Sequence, residues 1–223
     1  MTSASRTSPA PVDAEYKQRQ LRLPSRAMMW VFFRDGALVS ALWFAVYGGA
    51  NWLAGLHDYR VRLWTDLELS IPFVPAAAAV YLSIFPMFWI APFALHTTRQ
   101  LQALAKALAW TIAIAGIGFV LLPSGHAHTV EPPTGFFGKI FWIADQVNMS
   151  YNYLPSLHVA MSVVCAYAYS AATPRKDLKC FYSAWVGTIA VSTLLTHQHY
   201  LADVVTGGAL GLLVASKNIS KRN

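Results

Sequence analysis

His199 and Asp203 stand four residues apart near the C-terminal end of the sequence. Residues four apart on an α-helix share a face and lie one turn from each other. A carboxylate in that position can accept the Nδ1 proton of the imidazole, which leaves the lone pair of Nε2 exposed for attack on an electrophile. The same spacing fits a structural pair that ties two helices together, so the residue types alone leave both roles open.

A second histidine, His158, follows the residues Tyr151-Asn-Tyr-Leu-Pro-Ser-Leu and stands in another apolar run. Pro155 suits the first turn of a helix, so Ser156 and Leu157 are expected to present free backbone N–H groups there. A helix N-terminus with such groups attracts anions, including phosphate. Together these residues predict one pocket with a nucleophilic imidazole, a second imidazole acting as general acid, and a cradle for an anion.

The elements that must position these residues are apolar helices. Of the 223 residues, 56% are hydrophobic and only 12% are charged, about half the charged fraction of a soluble domain. Several of the apolar runs are near the ~20 residues that a helix needs to cross a bilayer. We therefore predict an all-α, polytopic membrane protein with six transmembrane helices, from the runs Trp30–Leu56, Leu69–Leu95, Ala107–Leu122, Leu154–Ala172, Phe181–Thr196 and Tyr200–Ser216.

The basic residues predict how this bundle is oriented. With both termini cytoplasmic, fourteen of the 17 Lys and Arg residues fall on the inner side, and only Arg60, Arg62 and Lys139 fall outside. Such a bias is typical of membrane topology, so the net charge of +7 does not indicate a nucleic-acid partner. We expect a disordered basic tail over 1–27, a single membrane catalytic domain over 28–217 and a basic tail over 218–223.

The histidines are concentrated on one side of this predicted topology. Six of the seven fall at outer helix ends or in outer loops, and only His96 falls inside; the six are His57, His126, His128, His158, His197 and His199. Ionisable groups at membrane depth are costly and usually face a partner or a wet cavity. We therefore expect an active site on the periplasmic, lumenal or extracellular side.

Two segments resemble motifs of the type 2 phosphatidic acid phosphatase superfamily of membrane lipid phosphatases and phosphotransferases. They are Pro155-Ser-Leu-His158 and Ser192-Thr-Leu-Leu-Thr-His-Gln-His-Tyr-Leu-Ala-Asp203, and the resemblance spans roughly residues 60 to 215. It implies that His199 forms a phosphohistidine, that Asp203 orients it, and that His158 protonates the leaving oxygen. It also implies that Ser156 contacts the phosphate and that no metal or other cofactor takes part.

The chain departs from the family pattern in its cationic phosphate ligands. Thr193 follows Ser192 where the family commonly has arginine, and the Lys and Arg-Pro motif is absent from the region around Phe119–His128. Candidate phosphate-binding residues are therefore Ser192, His126, His128 and Lys139, together with Ser156, and Arg60 and Arg62 are further outer cations. The lack of an arginine after Ser192 and the His-x-His-Tyr-x-x-Asp form of residues 197–203 look more like the sphingolipid head-group transferases, such as inositol phosphorylceramide synthase. The segment Asp66–Pro75 resembles the same branch.

Several alternatives remain open from the sequence. The substrate could be a phospholipid, a sphingolipid, a polyprenyl phosphate or a lipid A phosphate, and the acceptor could be water or an alcohol. Rival classes are a metal-dependent membrane enzyme using the outer histidines as ligands, a proton-coupled transporter, and a non-catalytic relative that binds lipid phosphate. The apolar segment Phe136–Ile143 fits an interfacial anchor or a cover for the acceptor site, and the oligomeric state is undetermined.

Overall fold

A computed structural model describes residues 23–127 and 133–219 of the chain. These residues form helices and connecting loops, and none of them belongs to a strand. The helices are α1 Arg26–Gly55, α2 Ala77–Tyr81, α3 Ile84–Trp89, α4 Ala91–Ala94, α5 Thr98–Leu121, α6 Gly135–Val147, α7 Leu157–Ala172, α8 Lys176–Leu195 and α9 Leu201–Asn218, with one 3₁₀ turn at Glu68–Ser70. The predicted all-α class is therefore confirmed.

Within the described ranges, three helices are long and apolar enough to cross a membrane, namely α1, α5 and α8. Shorter apolar helices cover Ala77–Trp89 and α7. Large apolar side chains are exposed on the outside of the bundle, among them Trp30, Phe44 and Trp110, as expected for a surface that faces lipid. The helices thus support membrane association, while six crossings and cytoplasmic termini stay predictions.

The second apolar run, predicted as one crossing, is divided into α2, α3 and α4. Pro72 and Pro75 precede α2, Pro86 lies in α3, and Pro92 occupies the first turn of α4. Proline lacks a backbone N–H and clashes with the preceding turn, so each one interrupts a continuous helix. The helix ends created in this way place Tyr81, the last residue of α2, inside the bundle, where it is fully buried.

Helices α7 and α9 pack against each other through glycine. A Cβ added at Gly207 would lie 2.4 Å from the carbonyl oxygen of Ser156, and one added at Gly211 would lie 2.5 Å from that of Ala160. Only glycine leaves room for the two backbones at this distance, as small residues do where helices approach closely. The packing brings the N-terminal turns of both helices together.

The loops and helix ends that carry the histidine motifs meet at one end of the bundle. The Asn51 side chain near the end of α1 accepts a hydrogen bond from the N–H of Tyr151 (3.1 Å), and the N–H of Ser156 donates to the Asp203 carbonyl (3.0 Å). We call this end, marked by Asn51, Ser156 and Asp203, the site end. At the opposite end the segment before α5 and its first turn meet the C-terminal ends of α7 and α9, and His96 lies in that segment.

Candidate active site

The predicted histidine–carboxylate pair forms at the start of α9. Nδ1 of His199 lies 3.4 Å from Oδ2 of Asp203, and both side chains are almost fully buried. The same carboxylate oxygen accepts the backbone N–H of Tyr200 at 2.9 Å. The His199 contact is long for a hydrogen bond, but such contacts in a site without substrate often tighten when the substrate binds.

The turn between α8 and α9 fixes the position of His199. The N–H groups of Gln198 and His199 both donate to the carbonyl of Thr193, at 3.0 and 3.1 Å. His197 adopts a left-handed backbone conformation, with φ 54°, and its Nε2 lies 2.9 Å from the carbonyl of Ile71, to which it donates. This hydrogen bond anchors the turn to the segment before α2. The His197 side chain therefore contacts Ile71 and takes no part in the His199–Asp203 pair.

Glu68 supports the same turn and was missed as a site-supporting residue by the sequence reasoning. Its carboxylate accepts the N–H of Leu201, the first residue of α9, at 2.6 Å. It also accepts the N–H and the hydroxyl of Thr65, both at 2.8 Å. Burial alone would raise the pKa of Glu68, but these hydrogen bonds together hold that pKa below its ordinary value. Only the resemblance of the segment Asp66–Pro75 to the transferases pointed to this region.

His158 lies beside His199 although the two residues come from different helices. Their ring centroids are 6.4 Å apart, so a group of phosphate size can contact both imidazoles. The His158 ring stacks on Tyr81, with centroids 4.0 Å apart, and its Nδ1 lies 3.0 Å from the Tyr81 hydroxyl oxygen. Tyr153 packs edge-on against His199, at a centroid distance of 6.0 Å, and burial raises the pKa of this phenol, so it stays protonated at neutral pH.

The expectation that the backbone N–H of Ser156 is free is wrong, because this N–H donates to the carbonyl of Asp203. The Ser156 hydroxyl accepts the N–H of Val159 at 3.4 Å and so caps α7. Ser156 therefore joins the first turns of α7 and α9. Ser192 is buried, and its hydroxyl donates to the carbonyl of Ile189 at 2.7 Å. Phosphate contacts by the two serines stay predictions. Ser192 would have to move its hydroxyl proton away from the Ile189 carbonyl, whereas the Ser156 hydroxyl could donate its proton while it still accepts from Val159.

The candidate cations differ in their relation to the two histidines. His126 is exposed and its ring packs edge-on against Tyr153 at 5.0 Å, so one aromatic ring separates it from His199. Lys139 is exposed on α6, and no hydrogen bond or ion pair in the described part of the chain joins it to His158 or His199. His128 lies outside the described residues.

Arg60 and Arg62, the two arginines predicted to lie outside, already have partners near the segment that follows α1. The Arg60 guanidinium lies over the Tyr151 ring, 4.3 Å from its centroid, and donates to the carbonyl of Tyr59 at 2.7 Å. Arg62 forms an ion pair with Asp66. A phosphate ligand role for either arginine would have to compete with these contacts.

An apolar cavity of about 760 Å³ reaches the two imidazoles. Side chains of α1, α3, α5 and α7 form most of its wall, and His158 and His199 are among its lining residues. Phe33, Phe44 and Trp89 line the cavity and are strongly exposed, so it opens to the surface along α1 and α3. No Lys or Arg of the described residues lines it.

The comparison with known families agrees with this site. The sequence profile of the PAP2 superfamily matches residues 61–216, a segment that contains both histidine motifs and most of the bundle. The chain therefore belongs to the PAP2 superfamily, and this membership supports a phosphoesterase-type enzyme, that is, a phosphatase or phosphotransferase. No curated protein matches the chain. Among the residues that the structure describes, no group of three or more His, Cys, Asp and Glu side chains converges as metal ligands do.

Proposed function

We propose that the chain is an integral-membrane lipid phosphatase or phosphotransferase that cleaves a lipid phosphate ester through a phosphohistidine on His199. The observation that carries the proposal is the apolar cavity that ends at two imidazoles, one of them paired with a buried carboxylate. A cavity of that kind suits an amphiphile whose phosphate reaches the histidines. Membership of the PAP2 superfamily supports the same chemistry.

In the first step Nε2 of His199 attacks phosphorus in line with the bond to the lipid alcohol. A P–N bond forms, the P–O bond breaks, and His158 gives its Nε2 proton to the departing oxygen. The carboxylate of Asp203 lies 3.4 Å from Nδ1 of His199. It keeps the ring proton of His199 on Nδ1 and stabilises the positive charge that the attack creates on the His199 ring.

In the second step a hydroxyl group from water or from an alcohol attacks the phosphohistidine. His158, now neutral, takes the proton of that hydroxyl, the P–N bond breaks, and His199 is regenerated. Water as acceptor gives inorganic phosphate, whereas an alcohol acceptor gives a new phosphate ester.

The dimensions of the cavity favour a substrate with a long hydrocarbon chain. The α1 residues on its wall run from Val31 to Gly48, a length of roughly 25 Å at the rise of an α-helix. The hydrocarbon core of a bilayer is ~30 Å thick, so the cavity follows most of that depth. A phospholipid, sphingolipid or polyprenyl phosphate could enter from the membrane along α1 and α3. The site would then face the periplasm, the lumen or the outside of the cell.

The alternative within this class is a sphingolipid-type head-group transferase that uses an alcohol as acceptor. Three observations favour it. Thr193 stands fully buried where the family commonly has arginine, and no Lys or Arg of the described residues lines the cavity. In addition, the transferase-like segment Asp66–Pro75 supports α9 directly through Glu68.

The test is turnover by the purified chain in detergent micelles. A panel of lipid phosphates, with and without added alcohol acceptors, is assayed for inorganic phosphate and for new lipid products. We expect release or transfer of phosphate, and its loss in His199→Ala. The matched control is His96→Ala, because His96 is exposed at the opposite end of the bundle. Full turnover by His199→Ala would reject His199 as nucleophile.

A further inference from the structure

His158 is held by a chain of side chains that the catalytic scheme does not use. The Gln198 amide nitrogen lies 3.2 Å from the Asp145 carboxylate, and the Gln198 amide oxygen accepts from the Asn148 amide nitrogen. The Asn148 oxygen lies 2.8 Å from the Tyr81 hydroxyl, which is 3.0 Å from Nδ1 of His158. This series of hydrogen-bonded side chains therefore joins α6, α2 and α7 with the turn before α9.

The direction of every hydrogen bond in this chain follows from two groups that can only accept. An ionised Asp145 requires Gln198 to turn its NH₂ group toward it, so the Gln198 oxygen faces Asn148. The Asn148 nitrogen also lies 3.4 Å from the carbonyl of Ala144, which is a second obligate acceptor. The Asn148 oxygen therefore faces Tyr81, whose single proton it accepts.

Because the Tyr81 hydroxyl donates its only proton to the Asn148 oxygen, it can only accept a hydrogen bond from His158. Turning the Asn148 amide alone would place its oxygen against both the Ala144 carbonyl and the Gln198 oxygen. Turning both amides would place the Asn148 oxygen against the Ala144 carbonyl and the Gln198 oxygen against the Asp145 carboxylate, so both arrangements are repulsive at these distances. Neutral His158 thus carries its proton on Nδ1. Its Nε2 has no hydrogen-bond partner among the described residues, and the His158 side chain lines the cavity beside His199.

We propose that Tyr81, Asn148 and Gln198 are positioning residues that fix neutral His158 as the Nδ1–H tautomer, so that Nε2 alone exchanges protons with the substrate. The catalytic part of this inference rests on the proposed function, in which Nε2 first gives a proton to the leaving oxygen and then takes one from the acceptor. With Nδ1 committed to Tyr81, both transfers use the same nitrogen and the ring need not rotate between them.

The direct test is ¹⁵N nuclear magnetic resonance of the full chain labelled at histidine, in detergent micelles, with His158 assigned by comparison with His158→Gln. We expect a protonated Nδ1 and an unprotonated Nε2 in the neutral form. Asn148→Leu removes the acceptor of the Tyr81 proton, so that Tyr81 can donate to Nδ1 and the tautomer shifts toward Nε2–H. An Nε2–H tautomer in the wild type, or no shift in Asn148→Leu, would overturn the assignment.

The kinetic test compares two buried tyrosines. Tyr81→Phe leaves Nδ1–H and the Asn148 oxygen unpaired and is expected to lower kcat by roughly 5- to 100-fold, with a smaller change in KM. Tyr169→Phe deletes an equally buried hydroxyl that donates to the Met87 carbonyl at 2.7 Å, and we expect no comparable loss. Equal effects of the two variants would overturn the catalytic role. The resonance test needs no turnover, so it stands even if the proposed reaction fails.

Discussion

The substitution Gly207→Ala tests whether the packing of α9 on α7 sets the distance between the two histidines. The added Cβ would lie 2.4 Å from the Ser156 carbonyl oxygen, whereas carbon and oxygen in close contact need ~3.3 Å. The backbones must therefore separate by about 1 Å. The separation would occur at Ser156, which lies two residues before His158, and at Gly207, which lies eight residues after His199.

A misplacement of about 1 Å in an active site can cost on the order of 100-fold in rate. We therefore expect Gly207→Ala to lower kcat for lipid phosphate turnover by about that factor. Overpacking should also destabilise the bundle by roughly 1–3 kcal/mol, partly offset by the higher helix propensity of alanine. Thermal unfolding of the purified variant in detergent separates the loss of stability from the loss of rate.

Gly208→Ala is the matched control, because a Cβ added there meets no atom within 4 Å. It should keep its rate and should be at least as stable as the wild type. If Gly207→Ala is as active as Gly208→Ala at a temperature where both are folded, the close approach of α7 and α9 does not control the site geometry.

Three further substitutions test other parts of the account. Asp203→Asn should lower kcat by roughly 10²- to 10⁴-fold, because His199 loses its negative partner; unchanged phosphate turnover would contradict this. Glu68→Gln should lower the unfolding temperature at neutral pH. The pKa of Glu68 is lowered from its ordinary value of 4.5, so its carboxylate stabilises the fold fully at a pH above 4.5. The difference in unfolding temperature between wild type and Glu68→Gln should shrink below pH 4.5 and vanish once the pH passes the lower pKa of the folded protein. A difference that stays constant with pH would refute the reasoning. Gly48→Leu places a side chain at the cavity wall and should lower kcat/KM roughly 10-fold for a long-chain lipid phosphate but not for a soluble aryl phosphate; Gly49→Leu, outside the cavity lining, should change neither.

The helical class could be predicted from the apolar runs. The division of the second run into three short helices was harder to predict, because prolines in a membrane helix often produce only a kink. What decides the outcome is the tertiary environment, which buries Tyr81 at the first break.

The histidine motifs predicted the central residues of the candidate site, since the four-residue spacing of His199 and Asp203 is a local property, although His199 lies in the turn before α9 and not on the helix. The roles of Glu68, Asn148 and Gln198 could not be predicted in this way. Their partners are separated from them by 133, 67 and 53 residues respectively, and no periodicity reports such contacts. The availability of the Ser156 N–H also depended on a distant partner, the Asp203 carbonyl.

Trapping the covalent intermediate tests the central claim most directly. Protein mixed rapidly with ³²P-labelled lipid phosphate and quenched in alkali, where a phosphohistidine survives, should carry label that acid then releases. Mass spectrometry of the peptides should place that label on His199, and His199→Ala should carry none. A chain that turns over lipid phosphate without labelling, or that is labelled at another residue, would contradict the account.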